Sequence, residues 1–78
     1  MANRSNYEKN RKNLENNIIR LMRNKNMTAR ALSMRIEKNE RYITRMLNGK
    51  IDPSLDTLFQ ISEALRVEPA DLFTKKEG

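Results

Sequence analysis

The chain has 78 residues, of which 16 are Lys or Arg and 10 are Asp or Glu, and it contains neither cysteine nor histidine. A chain of this length forms one domain at most, and folding buries only roughly 60% of the surface that the unfolded chain exposes. With no disulfide, thiol nucleophile or Cys/His zinc site, stability has to come from packing, and a reducing, cytoplasmic setting is expected. Its apolar runs are far shorter than the ~20 residues that span a bilayer, and "MANRSNYEKN" lacks the hydrophobic segment of a signal peptide.

The positive charge is concentrated in the first two thirds of the chain. Residues 1–51 hold 13 Lys and Arg against 4 Asp and Glu, whereas residues 52–78 hold 3 against 6, so the two parts carry +9 and −3. A concentrated basic surface attracts polyanions, with nucleic acid the first candidate and an anionic membrane surface the second. An ordinary solvated surface would give the same composition, and charge alone does not exclude it.

Residues 1–12 predict a polar, basic arm or an extension of the first helix. They are rich in Asn, a weak helix former, but Ser5 and Glu8 have the spacing of a capping box that would start the helix early. Apolar residues at three- and four-residue spacing then predict a firm helix that ends at Asn26, a residue type that tolerates left-handed backbone. These apolar residues are Leu14, Ile18, Leu21 and Met22.

Two short helices follow, separated by a tight turn. Thr28 is a good N-cap for "ARALSMRI", the second helix, which ends near Ile36. "EKN" then forms the turn, and Asn39 caps a third helix that runs to about Leu47, with Gly49 as its C-cap.

The last third of the chain predicts two more helices. Pro53 and Ser54 start a fourth helix in "PSLDTLFQISEALRV". "EPADLF" predicts a short fifth helix with Pro69 in its first turn, bringing Leu72 and Phe73 back towards the core. One face of the fourth helix carries Leu55, Leu58, Ile61, Ser62 and Leu65.

No segment alternates with period two, so the predicted fold class is all-α, a bundle of five helices with no internal repeat. The folded domain is expected over residues 13–74, followed by a tail at 75–78. Helices 2 and 3, joined by three or four residues, have a helix-turn-helix arrangement. Their close crossing needs a small residue in helix 2, which Ser33 supplies, and an apolar anchor in helix 3, which Ile43 supplies. An αα-hairpin in a bundle without any ligand would supply the same spacing.

Residues 14–73 resemble the phage-repressor and Cro-like helix-turn-helix domain, the XRE or lambda-repressor-like family. The resemblance is carried by "ALSMRI" for helix 2, by "YITRMLNGK" for helix 3 and its exit, and above all by "PSLDTLFQISEALRVEPADLF". It implies a five-helix lambda-repressor-like bundle that binds double-stranded DNA, with helix 3 as the recognition helix in the major groove.

The resemblance implies base contacts from the start of helix 3 and from one turn later. The matching residues are Glu40, Arg41 and Arg45, with Thr44 as a further contributor. An arginine can pair bidentately with guanine, whereas a glutamate accepts only from the amino group of cytosine or adenine. Glu40 would therefore discriminate between bases and repel phosphate, although a carboxylate that merely favours the start of a helix explains it nearly as well.

Phosphate contacts are implied at the N-terminus of helix 2 and in the loop after helix 3. Ala29 stands where the family usually has a polar residue, often Gln, so one phosphate contact is expected to be lost. The arm could follow the DNA backbone or remain a solvated tail; its cations are Arg4, Lys9, Arg11 and Lys12. The predicted phosphate contacts are Thr28, Ala29, Arg30, Arg35, Lys38, Asn48 and Lys50.

Two further departures from the family concern packing. Glu37 occupies the turn position where the family usually has glycine, and left-handed backbone there costs roughly 1 kcal/mol for a non-glycine residue. Met22 and Leu47 stand where many members bury an Arg against a Glu. Replacing both charges by apolar side chains of similar volume avoids a stranded charge, so Met22 is expected to contact Leu47.

These features predict a sequence-specific transcriptional regulator of the repressor type that binds a palindromic operator as a homodimer. Candidate dimer residues are Ile51, Phe59, Pro69 and Phe73. The alternative is an antitoxin or another protein-interaction module on the same fold. No enzyme activity, metal, cofactor or small-molecule substrate is expected, because the chain offers no obvious general base, nucleophile or phosphate loop. Membrane binding is not expected either, because the bundle uses the apolar stripes and Trp is absent.

Overall fold

The computed structural model describes residues 4–74, with side chains from Asn6 onward, as an all-helical domain. The expected all-α class is confirmed, with one small difference: the fifth element is a single 3₁₀ turn, so residues 4–74 form four α-helices. The elements are α1 (Arg4–Asn24), α2 (Ala29–Arg35), α3 (Tyr42–Leu47), α4 (Leu55–Ala64) and the 3₁₀ helix (Pro69–Leu72). No helix within residues 4–74 is both long enough and apolar enough to cross a membrane.

Helix α1 continues back to Arg4, so residues 4–12 are helical. Its C-terminal end follows the prediction, since Asn26 takes the left-handed backbone with φ of 53°. The capping box expected between Ser5 and Glu8 and the role of Arg4 lie outside the described side chains, as does the tail at 75–78.

Helices α2 and α3 are joined by the side chain of Ser33, which is fully buried. Its hydroxyl donates to the carbonyl oxygen of Ala29 at 2.7 Å and accepts from the backbone N–H of Ile43 at 2.9 Å. The small side chain expected at this crossing is therefore present, and it adds a hydrogen bond between the helices. Ile43 is also fully buried, as an anchor of α3 has to be.

The turn between α2 and α3 has the left-handed residue that the resemblance implies, but on a glutamate. Glu37 has φ of 58°, its N–H donates to Met34 O at 3.0 Å, and the N–H of Lys38 donates to Ser33 O at 2.9 Å. These two bonds form a Schellman motif, the usual C-terminal cap of a helix. Because a side chain occupies a conformation that favours glycine, the turn carries local strain.

Helix α3 begins later than predicted, at Tyr42 and not directly after Asn39. The amide oxygen of Asn39 accepts from the N–H of Arg41 at 2.9 Å, and its carbonyl accepts from the N–H of Tyr42 at 2.9 Å. The Asn39 side chain thus closes a local turn that competes with the first helical turn. Glu40 and Arg41 consequently lie in this turn and precede the helix.

Two hydrophobic residues near the C-terminus are more exposed than expected. Leu55 is 64% exposed, because Thr57, Ile61 and Leu65 at four-residue spacing form the buried face of α4 and Leu55 falls outside it. Phe73 is 48% exposed, whereas its neighbour Leu72 is fully buried. The chain is held there by its main chain, since the side-chain amides of Asn13 and Asn17 donate to the carbonyls of Phe73 and Leu72, both at 2.8 Å.

The core lies where α1 meets the other helices. Within the described part of the chain, every buried side-chain nitrogen and oxygen has a hydrogen-bond partner. The buried apolar residues are Leu14, Ile18, Leu21, Met22, Leu32, Ile36, Ile43, Met46, Ile61, Leu65 and Leu72.

We expect Ser33→Ala to lower the free energy of unfolding by about 1–3 kcal/mol, because it leaves the buried N–H of Ile43 without an acceptor. Urea unfolding followed by circular dichroism measures the change. Ser62→Ala is the matched control, since Ser62 is also buried but its hydroxyl only donates to a helical carbonyl, that of Phe59. Equal losses in the two variants would contradict the importance of the bond between α2 and α3.

We expect Glu37→Gly to raise the free energy of unfolding by up to about 1 kcal/mol, because glycine relieves the left-handed strain and this gain exceeds the added flexibility of the unfolded chain. The Lys25→Gly change serves as control, since Lys25 is also exposed in a turn after a helix but has an ordinary negative φ and gains nothing in the folded state. Thermal unfolding of both variants beside the parent chain decides the point. A Glu37→Gly variant no more stable than the parent chain would show that the turn is unstrained.

Candidate nucleic-acid interface

Helix α3 has one apolar face in the core and one polar face in solvent. Ile43 and Met46 are fully buried on the inner side, whereas Arg41, Thr44 and Arg45 are exposed on the outer side. The residues that pack the helix against the core are therefore different from those that are available to contact a partner. Two guanidinium groups, one just before the helix and one in its last turn, are free to meet a partner that approaches the exposed face.

Glu40 is also exposed, but it has a partner that the sequence did not reveal. Its carboxylate Oε1 lies 3.5 Å from Nε of Arg30 on α2, and the two side chains are 56% and 68% exposed. An ion pair at this exposure contributes about 0–1 kcal/mol, so a nearby phosphate or base can replace it. Glu40 thus balances the charge of Arg30. It precedes Arg41, the N-cap of α3, so the helix-start role expected for it is not supported, while base contact stays a prediction.

The predicted phosphate contacts at the start of α2 differ in accessibility. The hydroxyl oxygen of Thr28 accepts from the N–H of Ala31 at 3.0 Å, which makes Thr28 the expected N-cap, and the same hydroxyl can still donate to another group. Ala29 is half-buried and its methyl group packs against the core. The side chain of Ala29 therefore has no group that could bind a phosphate, and only its backbone could do so. This agrees with the expected loss of a phosphate contact at this position.

Three predicted cations lie on the exposed side of α2 and its turn: Arg30, Arg35 and Lys38. The ammonium group of Lys38 lies 5.4 Å from the centre of the Tyr42 ring, within the range of a cation–π interaction. This contact holds Lys38 beside the start of α3.

The loop after α3 has a defined backbone. Gly49 has φ of 76°, its N–H donates to Met46 O at 3.0 Å, and the N–H of Lys50 donates to Arg45 O at 2.8 Å. This is a second Schellman motif, so the expected C-cap at Gly49 is confirmed. The motif leaves the side chains of Asn48 and Lys50 exposed just beyond the C-terminal end of α3.

Arg11 is not part of a DNA-binding arm. Its side chain is only 13% exposed, and one terminal nitrogen, Nη2, donates to the carbonyls of Met46 at 2.8 Å and Ile51 at 2.7 Å. Lys9 and Lys12 are exposed, as an arm requires, although Lys12 Nζ lies 3.9 Å from the Glu15 carboxylate.

The position of Arg11 could have been found in the sequence. It stands three residues before Leu14 and seven before Ile18, on the buried stripe of α1, and Glu15 follows four residues later to pair with it at 3.2 Å. Its positive charge hid this periodicity, because an arginine in a polar segment normally indicates a surface residue.

Met22 and Leu47 stand where many family members bury an Arg–Glu pair, and both positions are shielded from solvent here. Met22 is 8% exposed, and Leu47 is half-buried against the core. Their direct contact stays a prediction.

A sequence model of the Helix-turn-helix family matches residues 18–72, well over half of the chain. The chain therefore belongs to this family, as an XRE-type domain like those of lambda repressor and Cro. Membership supports a DNA-binding helix-turn-helix regulator, so the exposed side of α2 and α3 is its candidate DNA interface. Neither the curated proteins nor the solved structures gave a significant match.

We expect Glu40→Gln to increase affinity for non-specific duplex DNA at low salt by roughly tenfold or less, because it removes a charge that repels phosphate and frees Arg30. Fluorescence anisotropy with a labelled random-sequence duplex measures the change. Asp56→Asn on α4 is the matched control, since it also removes one exposed carboxylate but lies in the acidic part of the chain. An affinity that does not rise above this control would mean that Glu40 does not face the DNA.

Proposed function

We propose that this protein is a sequence-specific transcriptional regulator, of the repressor type, that binds a palindromic operator as a homodimer in the cytoplasm. The observation that carries the proposal is the arrangement of α3. Its apolar residues Ile43 and Met46 are fully buried, which fixes the helix, while polar residues capable of hydrogen bonding occupy its exposed side.

Base recognition is assigned to four residues: Glu40, Arg41, Thr44 and Arg45. Arg41 and Arg45 provide forked donors suited to the O6 and N7 atoms of guanine. Thr44 can donate or accept, and its methyl group can contact thymine. Because Glu40 and Arg41 lie in the turn before α3, they would approach the bases from the N-terminal end of the helix.

Phosphate contacts would hold this helix in register from both sides. Thr28, the Ala29 backbone and Arg30 lie at the start of α2, and Asn48 and Lys50 lie beyond the end of α3. Contacts of this kind position a protein on the duplex without reading sequence. Further cations at Arg35 and Lys38 add attraction that depends on salt.

A homodimer would place two recognition helices on half-sites with centres ~34 Å apart, one turn of the duplex. Support comes from the apolar residues that remain accessible: Phe59 and Phe73 are each 48% exposed, while Ile51 and Pro69 are half-buried. An isologous contact between two such surfaces would give the operator its two-fold symmetry. Occupancy of that operator would then exclude polymerase from the promoter.

A second candidate function is that of an antitoxin or other protein-interaction module. It is favoured by the exposure of Leu55 and Phe59, four residues apart on α4, since neighbouring apolar side chains on a helix suit a protein partner. Such a protein could also bind DNA, so DNA binding does not distinguish the two functions. They differ in whether the exposed residues of α4 contact a second copy of this chain or a different protein.

We expect Arg41→Ala and Arg45→Ala each to lower affinity for a selected operator by about 1–3 kcal/mol and to relax sequence preference, because each removes a bidentate base contact. Selection from random-sequence duplexes, followed by titration of the selected site at several salt concentrations, provides the measurement. Arg23→Ala is the matched control, as it removes an exposed arginine from the last turn of α1.

Two results would count against this assignment. Selection of no preferred sequence by the parent protein, together with a steep salt dependence, would leave only electrostatic binding. An unchanged preference in both arginine variants would mean that other residues read the bases. Analytical ultracentrifugation with and without the selected duplex tests the homodimer separately.

A further inference from the structure

Arg11 joins the first turns of α1 to the exit of α3. Its Nη2 atom donates to the carbonyls of Met46 at 2.8 Å and Ile51 at 2.7 Å, which lie on the two sides of residues 47–50. One guanidinium group therefore joins the two ends of the loop after α3. Its two bonds connect residues that are 35 and 40 positions apart in the sequence.

The chemistry of this contact suits a guanidinium group. Met46 lies in the last turn of α3, where carbonyls carry partial negative charge, and its oxygen accepts from Arg11 in addition to the N–H of Gly49. Arginine offers several N–H groups in a fixed plane and can bond two carbonyls and a carboxylate together. Here Nε pairs with Glu15 at 3.2 Å and Nη1 with Asp52 at 3.6 Å.

Burial shields the bonds between Arg11 and Glu15 from water. The Arg11 side chain is 13% exposed and that of Glu15 is 11% exposed, so water competes little for their bonds. Asp52 is 75% exposed, and it also accepts from the hydroxyl of Tyr7 at 3.4 Å. Arg11, supported by Glu15, thus holds the loop to α1 from a largely buried position, and the exposed pair of Tyr7 and Asp52 adds a contact at the surface.

The loop that Arg11 closes carries two of the assigned phosphate contacts, Asn48 and Lys50. We propose that Arg11 is a positioning residue for DNA binding, which fixes this loop so that Asn48 and Lys50 meet the phosphate backbone. This inference rests on the proposed function. It makes residues 7–15 of α1 a determinant of DNA affinity that does not itself touch DNA.

The sharpest test compares Arg11→Lys and Arg11→Gln with the control Arg23→Gln, which removes the charge of an exposed arginine in the last turn of the same helix and is expected to bind like the parent chain. All are measured at a temperature where circular dichroism shows each variant folded. Lysine keeps the charge, but its single nitrogen cannot occupy the positions of Nε and Nη2 at once, so it cannot bond both carbonyls and the Glu15 carboxylate as the guanidinium group does. Both Arg11 variants should therefore bind the selected operator roughly tenfold more weakly, the effect of about one lost charge-assisted hydrogen bond.

The salt dependence distinguishes positioning from stability. Loss of a phosphate contact should reduce the slope of log K against log salt by about 1 while the preferred sequence stays the same. A purely structural arginine would lower the melting temperature but leave the affinity of the folded variant unchanged. Retention of full affinity by Arg11→Lys would indicate a role for charge alone and would overturn the proposal.

Amide hydrogen exchange examines the loop without DNA. In folded Arg11→Gln the amides of Gly49 and Lys50 should exchange faster than in the parent chain, while those within α2 keep their protection. Unchanged protection at both amides would overturn the positioning role. If the parent protein binds no duplex, the proposed function has failed, and this measurement still decides whether Arg11 orders the loop.

Discussion

The buried hydroxyl of Ser33 fixes the geometry on which the DNA interface depends. It accepts from the N–H of Ile43 and so joins the middle of α2 directly to the first turn of α3. Because α3 has only six residues, it would be marginal in isolation, and its helical form depends on such tertiary contacts. Ile43 and Met46 secure the helix from the core side, while Arg11 holds its exit. Packing therefore determines where the exposed arginines lie.

The family resemblance accounts for the fold, but the chain secures α3 in its own way. Where relatives bury an arginine against a glutamate, this chain has Met22 and Leu47. A largely buried arginine, with a side chain 13% exposed, is nevertheless present eleven residues earlier on α1, about three helical turns away. Arg11 bonds main-chain carbonyls, so its partners at Met46 and Ile51 do not depend on particular side chains. The attachment of α3 to α1 is thus retained with different chemistry.

Most of the fold could be predicted from sequence because periodicity and capping are local. Thr28, Ser54 and Gly49 mark helix ends through residue-specific hydrogen bonding or backbone preference, and the structure places all three at those ends. The errors arose where competition between local and tertiary contacts decided the outcome. Asn39 closed a turn that delayed α3, and hydrogen bonds from α1 to the chain's end left Phe73 on the surface. The pair of Glu40 with Arg30 depends on the approach of α2 to the turn before α3, which periodicity cannot give. The base and phosphate contacts stay predictions.

The uneven charge of the chain would affect how the protein approaches DNA. With +9 on residues 1–51 and −3 on residues 52–78, a separation of these two parts in space would give the molecule an electric dipole in addition to its net charge of +6. In the field of a duplex, a net charge draws the protein in, whereas a dipole also turns it. The protein would therefore approach the duplex with its basic part facing the DNA, and fewer encounters would occur in unproductive orientations. Salt would slow this alignment as well as weaken the final complex, because it screens both effects.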